Sequence, residues 1–123
     1  MVSVVIVGTD LMFTSKVTGT AGALGIEAVA AATTEALTVQ LEAGAVRLVT
    51  VDMSLPQAVP ALQVAAAHPT RPTTIAFYSH VQTALAEAAK AAGAGMVMPR
   101  SKFSAELPEI LWQYGTGGGG AGE

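Results

Sequence analysis

Five short runs of apolar and β-branched residues punctuate the chain at strand length: Val4 to Val7, Ile26 to Ala30, Val46 to Val51, Thr73 to Phe77 and Met96 to Met98. Longer Ala- and Leu-rich segments with helix-compatible spacing follow each of them: Leu11 to Leu24, Thr34 to Ala43, Leu55 to Ala67, Val81 to Ala92 and Ser104 to Tyr114. The order is (βα)5. Strands that are apolar on both faces imply a parallel sheet covered by helices on each side, and right-handed crossovers leave few topologies for five such units. A doubly wound α/β sheet is the expected fold.

Punctuation supports these boundaries. Thr33 or Thr34 can cap the second helix, Ser54 precedes Leu55-Pro56 as a cap followed by a first-turn proline, and Gly44, Gly93 and Gly115 fall where helices should stop. His68-Pro69-Thr70-Arg71-Pro72 reads as a loop, because each proline disfavours helix at the residue before it. The pattern divides the chain into a folded unit over residues 1–114 and a Gly-rich tail over 115–123, whose composition cannot bury enough surface to offset its ordering entropy. Gly19 and Gly22 lie inside the first predicted helix, where each costs roughly 1 kcal/mol relative to Ala, and close approach by the sheet or a partner is the expected reason.

Composition narrows the function. A length of 123 residues fits one domain, and no apolar run reaches the roughly 20 residues needed to cross a bilayer. The first residues enter a strand-like run without a basic leader, so no export and a cytoplasmic location are expected. Zero cysteines remove disulfides, thiolate chemistry and Cys-ligated zinc together. A formal charge of −3 argues against nucleic acid, which selects for a basic face.

In open α/β sheets, ligand sites collect beyond the carboxyl ends of the strands, where strand order reverses. That rule selects Gly8, Thr9 and Asp10 after the first strand, Asp52, Met53 and Ser54 after the third, Ser79 and His80 after the fourth, and Pro99, Arg100 and Ser101 after the fifth. A carboxylate, a hydroxyl and a cation at converging strand ends are the parts of a phosphoryl-handling site.

The segment Leu48-Val49-Thr50-Val51-Asp52-Met53-Ser54-Leu55-Pro56 resembles the third strand and phospho-acceptor loop of response-regulator receiver domains. The resemblance covers about residues 2 to 114 and implies a flavodoxin-like sheet in strand order 2-1-3-4-5, with Asp10 and Asp52 at one edge. It aligns Asp52 with the acceptor aspartate, Ser79 with the switch Ser/Thr, and Ala92-Gly93-Ala94 and Met98-Pro99 with the Gly-Ala and Lys-Pro positions around the fifth strand. Departures from the family pattern bear directly on function. Gly8 and Thr9 stand where the family places the acidic pair that holds a divalent cation, and Met98 replaces the lysine. Arg100 is the nearest substitute for that lysine, although alternation and Pro99 leave its aim open. His80 replaces a small residue and could close the pocket.

Other readings of these residues are blander. Asp52 also reads as a loop or capping carboxylate inherited with the fold. Adjacent residues at a strand end point to opposite faces, which argues against a Ser79-His80-Asp52 triad. His68 reads as solvated, and two lone histidines make no metal site. The Gly-x-x-Gly-x-x-Gly at 19, 22 and 25 is not the dinucleotide fingerprint and begins too far from the first strand. Trp112 and Tyr114 fit either core or interface.

The expected function is a degenerate, pseudo-receiver-type signalling module that is not an enzyme, binds no cofactor or metal, and acts on a protein partner through its last helix and the fourth-to-fifth-element face. A homodimer is the other expected assembly. One alternative is a working two-component receiver phosphorylated at Asp52, and another, of a different class, is a flavodoxin-like cofactor domain.

Overall fold

The computed structural model describes residues 1–79 and 82–116. Strands β1 (Val4–Val7), β2 (Ala28–Ala31), β3 (Leu48–Asp52), β4 (Thr73–Tyr78) and β5 (Met96–Pro99) alternate with helices α1 (Leu11–Ala23), α2 (Thr34–Glu42), α3 (Ala58–Ala67) and α4 (Thr83–Ala91), and the last strand leads into α5 (Arg100–Ala105) and α6 (Leu107–Gly115). All pairings are parallel, in the order β2-β1-β3-β4-β5, as the resemblance implied.

Strand alternation sorts the core into two layers. Val5, Val7, Val49, Val51 and Ala76 face one way and pack with Leu37, Leu41, Leu62 and Ala89 from α2, α3 and α4. Val4, Ile6, Leu48, Ile75 and Phe77 face the other way and pack with Phe13, Val17, Leu107 and Leu111 from α1 and α6. Every residue of β1 and β3 is buried, which is why these central strands read as continuous apolar runs.

Several expectations are corrected. Helix α3 begins at Ala58 rather than Leu55, and Ser54 does not cap it. Both the amide and the hydroxyl of Ser54 donate instead to Asp52 Oδ1, at 2.9 and 2.7 Å, a local Asp-centred turn that competes with helix. Gln57 takes the N-cap position of α3, and its Oε1 accepts the amide of Thr34 at 2.8 Å.

The expected final helix over 104–114 is two helices. Glu106 ends α5, with its amide bonded to the Lys102 carbonyl, and starts α6, with its carbonyl accepting from Ile110. Pro108, in the first turn of α6, supplies no amide to continue α5 and fits the start of a new helix.

Gly44 and Gly93 do end helices with positive φ, 87° and 99°. Gly115 is also the last residue of α6 but without positive φ, and a Cβ there would meet Val4 Cγ2 at 2.8 Å. This glycine lets the helix press onto β1. The reverse holds for Gly19 and Gly22, which are exposed with nothing within 4 Å of an added Cβ, so the sheet gives no reason for them. The expected tail, from residue 117 on, lies outside the described residues, as do His80 and Val81 at the expected start of α4.

Candidate functional site

The carboxyl edge of the sheet brings β1, β3, β4 and β5 to one end of the molecule. Asp10 leaves β1 and becomes the N-cap of α1: its Oδ1 accepts the amide of Phe13 at 3.2 Å, satisfying one of the helix's orphan donors. Its second oxygen, Oδ2, accepts from Arg100 Nη2 at 2.7 Å. The Arg100 side chain comes from the first residue of α5, where Pro99 ends β5 in extended backbone and turns the chain toward α1. Its guanidinium lies 4.1 Å from the centre of the Phe13 ring, so one side chain makes an ion pair and a cation–π contact. The hydrogen bond from Arg100, and then the one from the Phe13 amide, hold the Asp10 carboxyl below its ordinary range. A second tie between the same elements is the hydrogen bond from Lys16 Nζ in α1 to Ser104 Oγ in α5.

Beneath Arg100 stand the chain's three phenylalanines. Phe77 and Phe103 stack with centroids 4.8 Å apart and planes within 6°, and Phe13 leans on both, at 5.1 and 5.9 Å. Met98 is buried in this same cluster. Phe13, Ser79, Arg100, Ser101 and Ser104 line a shallow cleft of about 450 Å³. Ser79 is exposed beside it, and His80 falls outside the described residues.

Asp52 sits apart from these charges. It ends β3 level with Phe77, only 7% exposed, and its Oδ1 is committed to Ser54. No cation pairs with it among the described residues. Gly8 is its neighbour: a Cβ built on Gly8 would lie 3.7 Å from Asp52 Cβ and 3.4 Å from Thr14 Cγ2. Asp10 and Asp52 do share one edge, but Arg100 engages the first and leaves the second.

No family model and no curated protein matches the chain. Solved structures do match. The receiver domain of NtrX from Brucella abortus aligns with 91% of this chain and 97% of its own length, at 16% identity and a TM-score of 0.76. The fold is that of response-regulator receiver domains.

Two further solved structures agree. A response regulator of Chloroflexus aurantiacus J-10-fl matches at 17% identity and a TM-score of 0.77, with 91% of this chain and 95% of that one covered. The beryllofluoride-activated NtrC4 receiver domain dimer matches at 16% identity and 0.71, with 93% and 99% covered. Against the longer NtrX chain, the present sequence spans only 26% of the length.

A receiver fold invites the question of whether a divalent cation fits at this edge. A hard cation such as Mg²⁺ asks for one or two carboxylates with free oxygens. Gly8 and Thr9 offer none, Asp10 has both oxygens engaged, and Asp52 alone remains with Oδ2 unbonded among the described residues. Nor do three His, Asp or Glu side chains converge anywhere among the described residues. The donor set does not fit the ion.

Sequence reasoning selected these strand ends but left the aim of Arg100 open and missed the aromatic floor. The signal for that floor was present: Phe13, Phe77 and Phe103 are the only phenylalanines, and one falls beside each of three selected strand ends. Trp112 and Tyr114 part company in the structure. Tyr114 packs half-buried against the Phe-containing layer, whereas Trp112 is 52% exposed on α6.

Proposed function

We propose that this chain is a receiver-like signalling module that works by binding a protein partner and does not depend on metal-assisted phosphorylation of Asp52. The observation that carries the reading is the place of Gly8. It abuts Asp52 at the position where a receiver needs a cation-holding carboxylate, and its missing side chain leaves Asp52 without one.

Attack by a carboxylate on a phosphoryl group needs cationic stabilisation of the equatorial oxygens. Two sources are lost here, since the metal lacks its cradle and Met98 occupies the lysine position inside an apolar cluster. Arg100 does not replace them, because it is held on Asp10 and Phe13. If each loss removes about 3 kcal/mol of transition-state stabilisation, the rate falls roughly four orders of magnitude. The Arg100–Asp10 pair instead ties α5 to α1.

The partner surface is the exposed side of α6, where Pro108, Glu109, Trp112 and Gln113 surround a shallow hollow and Trp112 offers a large aromatic anchor. A second copy of the chain is one partner of this kind, in keeping with the dimeric NtrC4 receiver of the same fold.

The metal half of the proposal is tested by titrating Mg²⁺ into labelled protein and following amide resonances. No saturable shift at Thr9, Asp10 or Asp52 is expected. Saturation at those three positions would instead favour the second reading, a receiver phosphorylated at Asp52, whose support is the retained aspartate at the end of β3.

A further inference from the structure

A roomy cleft lies at the other end of the sheet. It has a volume of about 730 Å³, within the range of small-molecule sites, and it opens between the amino ends of β1, β3 and β4 and the last turn of α6. The walls come from Ser3, the Gly44 to Arg47 segment, the Thr70 to Thr73 segment, Gln113 and Tyr114.

Its charge is one-sided. Arg47 and Arg71 both line the cleft, and no Asp or Glu does. Neither arginine has a carboxylate partner among the described residues. In a chain of net charge −3 with only six Lys and Arg, two exposed arginines without a carboxylate partner line this one concavity.

Their backbones are fixed rather than floppy. The Arg47 amide donates to the Ser3 carbonyl at 2.8 Å and its carbonyl accepts from the Thr73 amide at 2.9 Å, which locks it between β1 and β4. The Arg71 amide closes the loop onto the His68 carbonyl at 3.0 Å. Arg71 is also the single non-glycine residue with positive φ among those described, at 51°. That conformation is disfavoured for a side chain, and glycine would adopt it at lower cost.

We propose that this cleft binds a small organic ligand carrying a diphosphate group. A guanidinium presents a planar fork of donors that matches phosphoryl oxygens two at a time, and two forks on neighbouring strand starts suit two linked phosphoryl groups. Thr73 and Ser3 line the same cleft, and its volume exceeds what a lone phosphate fills. Pro72 and Tyr114 give an apolar wall for an organic body. The site lies at the opposite end of the strands from Asp52 and does not rest on any reading of that residue.

The test uses inorganic pyrophosphate as the probe, with sulfate at matched ionic strength as the control, followed by amide chemical shifts. Pyrophosphate should give saturable shifts centred on Arg47, Arg71 and Thr73, and sulfate should not saturate in the same range. Arg47→Gln and Arg71→Gly should each weaken binding at least tenfold. The second change suits the backbone at that position, and circular dichroism checks that both variants keep the fold. Shifts that grow linearly with either anion, that centre on Asp10 and Arg100, or that persist unchanged in both variants would overturn the proposal.

Discussion

Arg100 Nη2 lies 2.7 Å from Asp10 Oδ2, and this contact joins the first residue of α5 to the N-cap of α1 across the carboxyl edge of the sheet. The two residues are 90 positions apart in sequence. The guanidinium also rests on Phe13, and Lys16 reaches Ser104, so three contacts tie α1 to α5.

The pair makes stability depend on pH in a defined sense. Asp10 is held below its ordinary value, first by the hydrogen bond from Arg100 and then by the Phe13 amide, so the folded state favours the carboxylate more than the unfolded chain does. That contribution is complete above the unfolded value, about 3.9, and is lost as pH falls through the lower folded value. Urea unfolding of the parent and of Asp10→Asn should therefore differ most near neutrality and converge in acid. A difference independent of pH would mean that charge plays no part.

Gly19 is a solvent-facing residue of α1 with open space around an added Cβ. Gly19→Ala should stabilise the fold by roughly 0.5–1 kcal/mol by restricting the unfolded chain and improving helix propensity. Thermal unfolding measures this. An unchanged or lower midpoint would indicate that something off the described chain packs there.

Thr50 lies at the centre of β3, fully buried and level with Ile6 and Ile75, and its hydroxyl has no hydrogen-bond partner among the described residues. A buried, unsatisfied hydroxyl costs about 1–3 kcal/mol, so Thr50→Val, which keeps the shape, should raise stability by roughly 1 kcal/mol. Loss of stability in denaturant titration would count against this, by revealing that the hydroxyl is bonded in solution.

Gly8→Asp restores a carboxylate beside Asp52, where the added Cβ meets only ordinary contacts. Two like charges about 5 Å apart repel by roughly 3 kcal/mol at an effective dielectric near 20, so the variant should lose stability in chelator. Millimolar Mg²⁺ should return part of that loss, while leaving the parent unaffected. If the parent gains as much from Mg²⁺ as the variant does, the account of Gly8 is wrong.

Much of this architecture was legible because burial on both faces writes itself into sequence. β1 reads Val-Val-Ile-Val and β3 reads Leu-Val-Thr-Val, and such runs belong inside a parallel sheet. Most of what escaped was set by contacts between distant residues, and Ser54 by a competing local one. Nothing local distinguishes Gly115 as a helix stop from Gly115 as a notch for Val4, since either use needs only a small residue. Ser54 looked like a cap because Ser before Leu-Pro is a cap signal, yet the carboxylate of Asp52 two residues earlier captured its donors first. The site was legible as a set of strand ends, whereas the choice of Asp10 over Asp52 by Arg100 depends on how α5 leaves β5.

The central claim, that Asp52 is not a metal-dependent phospho-acceptor, is tested most directly by intact-mass spectrometry after incubation with acetyl phosphate and Mg²⁺, alongside an Asp52→Asn control. The account predicts that parent and control both keep their unmodified mass. A phosphoryl adduct in the parent that the control lacks would contradict it.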